Sequence, residues 1–187
     1  MRKIFAAAII IALSFFLDGF TQIFIMRAGF LDTIFTWITN FGSTFVVLII
    51  MTTLFLWEDR KREWIPALWA SYITAIIVVF ILKILIARDR PGVEEFYPVI
   101  SMISYSFPSM HAAAAFAAIP ILDREYPKLK KFWIIFALLV AFSRLYFNMH
   151  YFSDVVAGGF LGYGIGAMFV YLEEKKKIFK VFMKNGN

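Results

Sequence analysis

The two histidines of this chain, His111 and His150, stand in two of three short clusters that gather its chemically capable side chains. The first cluster reads Lys83-Ile84-Leu85-Ile86-Ala87-Arg88-Asp89-Arg90-Pro91, the second Phe107-Pro108-Ser109-Met110-His111. The third runs Ser143-Arg144-Leu145-Tyr146-Phe147-Asn148-Met149-His150-Tyr151-Phe152-Ser153-Asp154. His150 and Asp154 are four apart, so on a helix the carboxylate lies beside the imidazole and accepts one ring N–H, leaving the other nitrogen free to attack. An isolated pair of this kind is also found as a purely structural hydrogen bond. Lys83 and Arg90 are seven apart, two helical turns, and so face the same way; taken alone, a lysine at a span end can simply lift its ammonium to the headgroups. Pro108 and Ser109 are helix-start residues, and a helix beginning there aims free N–H groups and its positive dipole end outward, which suits an anion. Ser109 taken alone is a helix cap. Arg144 and His150 are six apart, about 120° around one continuous helix, so a break is expected between them if they are to meet. Together the clusters offer Lys83, Arg90 and Arg144 as cations, a helix N-terminus, a carboxylate-oriented histidine and a second histidine free to act as an acid. Those are the parts of phosphoryl transfer by positioning and charge neutralisation.

The elements that must hold these residues are apolar. Of 187 residues, 61% are hydrophobic and 17% charged, and the mean hydropathy is +0.77, outside the balance of an ordinary water-soluble domain. Breaking the chain at charges and prolines gives spans at about 4 to 25, 33 to 57, 64 to 87, 108 to 122, 132 to 149 and 154 to 172. The expected fold is all-α, a polytopic membrane bundle of about six transmembrane helices forming a single domain over residues 1–187. The second span and the third up to Leu82 carry no charge and are the firmest; the fourth is short and flanked by prolines. Arg2-Lys3 and the apolar stretch to Leu17 resemble a signal peptide, but no small-x-small cleavage site follows, and a retained first helix is expected.

Lys and Arg set the orientation, because short cytoplasmic loops carry their excess. Arg2 and Lys3, Arg60 to Arg62, Arg124 with Lys128, Lys130 and Lys131, and the Lys175 to Lys184 group fall on one side; Arg27, Lys83, Arg88, Arg90 and Arg144 fall on the other. Both termini are thereby expected in the cytoplasm and all three clusters at the extracytoplasmic face of the plasma (inner) membrane. The terminal lysines read as topology anchors.

Several classes of function are set aside. The net charge of +6 sits between apolar runs rather than on a soluble face, so no nucleic-acid partner is expected. Cysteine is absent, which removes thiolate chemistry and thiolate metal sites. Asp89, Glu94 and Glu95 could join the histidines around a divalent ion, but this chain has few ligands to spare, and no metal is expected. Arg88 would point nearly opposite Arg90 on a helix, toward lipid headgroups. Gly158, Gly162 and Gly166, spaced by four, form a small-residue stripe expected to serve packing within the bundle.

The three clusters resemble the signatures of the type 2 phosphatidic acid phosphatase (PAP2) superfamily, K-x6-R-P, P-S-G-H and S-R-x5-H-x3-D, in that family's order and at the expected span ends. The resemblance implies a membrane lipid phosphatase in which His150 attacks phosphorus to give a phosphohistidine and Asp154 orients it. It implies that His111 protonates the leaving oxygen, that Lys83, Arg90, Ser109, Met110 and Arg144 hold the phosphate, and that no metal or other cofactor takes part. The substrates it implies are lipid phosphates or pyrophosphates: phosphatidic acid, phosphatidylglycerophosphate, undecaprenyl pyrophosphate or lipid A 1-phosphate. Met110 stands where the signature has Gly; its N–H can still meet phosphate if the local φ is negative, whereas a positive φ would strain it. A lipid phosphotransferase would share this site and differ in its acceptor. A vanadate haloperoxidase would be soluble, and a non-catalytic lipid-binding or transport protein would be expected to have lost a chemical residue.

Overall fold

The computed structural model describes residues 2–25, 28–92 and 105–179, and the described residues contain helices and no strands. Arg27, Glu94, Glu95, Lys180 and Lys184 lie outside them. The helices are α1 (Arg2–Phe16), α2 (Asp18–Phe24), α3 (Gly29–Phe41), α4 (Thr44–Leu56), α5 (Ile65–Ile86), α6 (Met110–Glu125), α7 (Pro127–Tyr146) and α8 (Phe152–Lys176), with a 3-10 turn at Asp59–Trp64 ahead of α5. Pro66 and Pro127 sit in the first turns of α5 and α7, where a missing N–H costs no helical hydrogen bond.

Two spans expected to be continuous are broken. The first splits at Leu17 into α1 and α2, and Asp18, the first residue of α2, turns inward and is 6% exposed. The second splits at Gly42-Ser43 into α3 and α4, bent by 62°. Gly42 lies against the Val140 side chain, inside the distance any Cβ could occupy, so the bend occurs where the backbone can approach α7 that closely. Two helical stretches, Asp59–Ile86 and Phe152–Lys176, are long and apolar enough to cross a membrane, and the bent pair α3–α4 makes a third if taken as one span.

The α6 helix is the centre of the bundle. It packs most extensively on α8, then on α7 and α5. Its run Ala112 to Ala118 is almost wholly buried, and small side chains let neighbouring backbones come close. Gly158, Gly162 and Gly166 meet Ser109, Ala113 and Ala117 at successive turns; a Cβ on any of the three glycines would fall inside 3.0 Å of the facing carbonyl oxygen. The glycine stripe is thus used within the chain, and it locks the N-terminal ends of α6 and α8 side by side. At their other ends Val47, Met51, Phe55, Leu68, Tyr72 and Leu122 form the main apolar core.

The outside of the bundle is apolar as well. Ile4, Phe45, Ile49, Leu85, Phe132 and Leu138 are all well exposed, a surface suited to hydrocarbon rather than water. Charge gathers instead at the ends. Arg124 pairs with Glu174 at 2.6 Å, Lys130 with Asp123 at 2.8 Å, and the Lys61 ammonium lies 3.6 Å from the Tyr126 ring centre, all at the far end of α6 from Ser109.

Candidate active site

The C-terminal ends of α5 and α7 and the N-terminal ends of α6 and α8 converge, and the three clusters meet there. The α7 helix stops at Tyr146, residues 147–151 form a short link with Asn148 in the left-handed region (φ 53°), and α8 begins at Phe152. The expected break between Arg144 and His150 is therefore present, and it folds back: the Met149 N–H donates to the Arg144 carbonyl at 3.0 Å.

His150 sits in this link, not on a helix, so the four-residue helical step is not what brings it to Asp154. A helix cap does so. Tyr151 is the N-cap of α8, and its backbone N–H donates to Asp154 Oδ2 at 2.8 Å. That contact turns the carboxylate back toward the preceding residue, and His150 Nδ1 lies 3.5 Å from the same oxygen. His150 is 3% exposed and Asp154 fully buried. Burial, with Arg90 and Arg144 acting in the same direction, holds the imidazole well below its ordinary value, down to about 4, against the opposing pull of Asp154. His150 is consequently neutral at physiological pH, with Nε2 available.

Ser109 caps α6, its hydroxyl accepting from the Ala112 N–H at 3.5 Å, and its own N–H donates to the Asp154 carbonyl at 3.0 Å. Met110 follows as the first residue of α6 with a negative φ, so the side chain that replaces glycine is unstrained. It lies with Thr44, Tyr72 and Ala75 around a small void between helices. His111, one residue further along, is half-buried and within electrostatic reach of Arg144, His150, Arg90 and Lys83.

The cations arrive differently from the helical expectation. The α5 helix ends at Ile86, and Ala87 adopts the left-handed conformation (φ 47°), so Lys83 and Arg90 do not share a helix face. Lys83, 3% exposed, donates to the Tyr105 carbonyl. Arg90 comes back over the link, its Nη1 3.4 Å from the Met149 carbonyl. Arg144 is 7% exposed; its Nη1 donates to Thr39 Oγ1 at 2.6 Å and its Nη2 lies 3.2 Å from Met149 Sδ. Its Nε is buried with no hydrogen-bond partner among the described residues, an uncommon state for a buried donor.

Three further residues reach the site, two of them, Ser106 and Asp18, without a sequence signal and one, Arg88, against the direction its spacing gave. Ser106, fully buried, donates from its hydroxyl to Asp154 Oδ2. Arg88 does not face lipid headgroups: its Nη1 donates to Asp154 Oδ1 at 2.8 Å and its Nη2 to Asp18 Oδ2 at 2.7 Å. Asp18 in turn accepts from the Ser153 N–H at 2.8 Å and the Ser153 hydroxyl at 2.7 Å. Asp89 is exposed, and no group of three or more His, Cys, Asp or Glu converges among the described residues.

A family model described as the PAP2 superfamily matches residues 64–178, which contain all three clusters. The chain is 31% identical to an undecaprenyl-diphosphatase of Sulfolobus acidocaldarius over 81% of its length and 75% of that protein. It is 30% identical to phosphatidylglycerophosphatase B of Bacillus subtilis over 83% of its length and 82% of that protein. Its fold resembles the crystal structure of a transmembrane PAP2-type phosphatidylglycerolphosphate phosphatase from Bacillus subtilis, with a TM-score of 0.74 and 22% identity over 94% of this chain and 98% of that one. With the signatures, the helical bundle and these relatives in agreement, the chain belongs to the PAP2 superfamily of membrane lipid phosphatases.

Proposed function

We propose that this protein hydrolyses a lipid phosphomonoester or pyrophosphate at the extracytoplasmic face of the membrane through a phosphohistidine intermediate. The observation that carries the reading is the buried, neutral His150, whose Nδ1 faces Asp154 Oδ2 at 3.5 Å. With Asp154 ionised, Nδ1 keeps its proton and Nε2 presents a lone pair. Nε2 attacks phosphorus, the bond to the leaving oxygen breaks, and His111, whose imidazolium form the negative charge of the bound phosphate favours, gives that oxygen its proton. Water then attacks the phosphohistidine with His111 as base, releasing phosphate and restoring His150. Lys83, Arg90, the orphaned Nε of Arg144, and the Ser109 and Met110 end of α6 take the phosphate oxygens and the charge that grows on them. The site is assigned no metal; its charge neutralisation comes from these side chains.

Six membrane crossings, with α1–α2 and α3–α4 each counted as one broken span, place both termini in the cytoplasm. In support, the ion-paired loops at Lys61, Arg124 and Lys130 gather at the end of α6 away from His111. An apolar cleft of about 820 Å³ opens between α1 and α7, floored by Phe116, Val155 and Gly159. Leu145 and Phe152 line it next to Arg144 and Ser153, so an acyl or prenyl chain lying there would leave its phosphate at the cationic site.

The test is phosphate release by the detergent-purified protein in excess EDTA from phosphatidic acid, phosphatidylglycerophosphate, undecaprenyl pyrophosphate and lipid A 1-phosphate. Turnover of one of these in EDTA, lost in His150→Ala and His111→Ala alike, is the expected result. Near-normal rates in either variant, or activity that returns only with added divalent ion, would overturn the mechanism.

A further inference from the structure

Asp18, Arg88 and Ser153 form a polar chain behind the nucleophile, and Asp18 comes from outside the family-matched residues 64–178. Arg88 spans two carboxylates with the two arms of one guanidinium, 2.8 Å to Asp154 and 2.7 Å to Asp18. The planar fork of arginine suits this double contact, and lysine cannot reproduce it. The guanidinium is fixed further by the Tyr151 ring, 3.8 Å from its centre, and by its 2.6 Å contact with the Ser153 hydroxyl. The backbone carbonyl of Arg88 also accepts from the Ser106 N–H at 2.7 Å, and Ser106 is the residue whose hydroxyl holds Asp154 Oδ2. Arg88 thus governs both oxygens of Asp154, one directly and one through Ser106. Asp18 secures the arrangement from the far side, because it both neutralises Arg88 and caps α8 at the Ser153 N–H.

We infer that Asp18 and Arg88 are positioning residues for the reaction: they fix the orientation and charge of Asp154 and, through it, of His150, making the N-terminal helix pair part of the catalytic unit. The inference rests on the reading of His150 as nucleophile. Neither residue is assigned a contact with phosphate, so removing either should lower kcat and leave phosphate affinity nearly intact. The charges facing His150 are Lys83 from α5, Arg90 from the loop after it, His111 from α6, Arg144 from α7 and Asp154 from α8, and these are unchanged in the variants. Removing the positive Arg88 lets Asp154 stabilise imidazolium more strongly, and removing the negative Asp18 does the opposite.

The experiment compares wild type, Arg88→Gln, Arg88→Lys, Asp18→Asn and the Arg88→Gln/Asp18→Asn double variant, purified in detergent. The readouts are kcat and KM for the lipid phosphate that wild type turns over, the pH profile of kcat/KM, and orthovanadate affinity. The expected result is a fall in kcat of about tenfold to a hundredfold in each single variant, the scale of a misplaced reacting group. KM and vanadate affinity should stay within about threefold, and the losses in the double variant should be less than additive, as for partners in one network. The acid limb should move up by about one pH unit in Arg88→Gln and down in Asp18→Asn, opposite shifts that loss of folding does not produce. Unmoved acid limbs with kcat within twofold of wild type, or vanadate binding lost in step with kcat, overturn the inference. If Arg88→Gln does not accumulate, the near-isosteric Asp18→Asn alone decides it by the direction of its limb. Silence of the wild-type protein toward every lipid removes the reading and the inference together, whereas an active wild type with unmoved variants removes the inference alone.

Discussion

In the proposed mechanism, His150 is a nucleophile made by its surroundings. An exposed imidazole at its ordinary value near 6.5 would be partly protonated at mildly acidic pH, whereas burial keeps this one neutral down to about 4. The same shift has a consequence for stability. Between those two values the unfolded chain binds a proton at position 150 and the folded chain does not, so folded stability falls as the pH drops through that window and is full above it. Thermal unfolding of the detergent-solubilised protein should show wild type losing more Tm than His150→Ala between pH 7 and pH 4. Equal losses in the two would mean that His150 titrates normally in the fold.

At the scale of elements, the close pairing of α6 and α8 sets the geometry of the site. Gly162 faces the Ala113 carbonyl so closely that any side chain must push the helices apart, while nothing lies within 4 Å of a Cβ placed at Gly164. Gly162→Leu is expected to destabilise the protein by about 1 to 3 kcal/mol, as overpacking does, and to reduce phosphate release in step, since Ser109 and Asp154 sit at the ends of these helices. Gly164→Leu should do neither. Thermal unfolding and turnover of the two variants side by side check this; equal behaviour would mean that α6 and α8 are not locked by their backbones. The bends between α1 and α2 and between α3 and α4 belong to the same scale, because they turn Asp18 inward and let Gly42 meet Val140.

The whole molecule exposes apolar side chains along its flanks and collects ion pairs at the end away from His150. A bundle with that surface resides in a membrane, and the proposed orientation puts its basic loops in the cytoplasm. Tags at either terminus should therefore be inaccessible to antibody or thiol reagent added outside intact cells, and a cysteine placed at Asp89, on the exposed turn after α5, should be labelled. Surface labelling of a C-terminal tag would reverse the topology and move the site to the cytoplasmic face.

Residue type and order along the chain were enough to identify the chemistry. Two histidines, three cations, a capping serine and an aspartate four residues from His150 announce phosphoryl transfer, and 61% hydrophobic residues announce an all-helical membrane protein. Spacing was less informative about how these groups meet, because a helical step applies only while the helix lasts. The left-handed Ala87 ends α5 before Arg90, and the link at 147–151 carries His150 off the helix, so the capping turn at Tyr151 and Asp154, not an i to i+4 step, pairs imidazole with carboxylate. The signal for Arg88 pointed the wrong way for the same reason. Asp18 reaches Ser153 across 135 residues of sequence, and Ser106 reaches Asp154 across 48. Local periodicity carries no information about contacts of that separation; they form only when α1 and α2 lie against α8 and Ser106 meets it from just before α6, which the packing of the bundle decides.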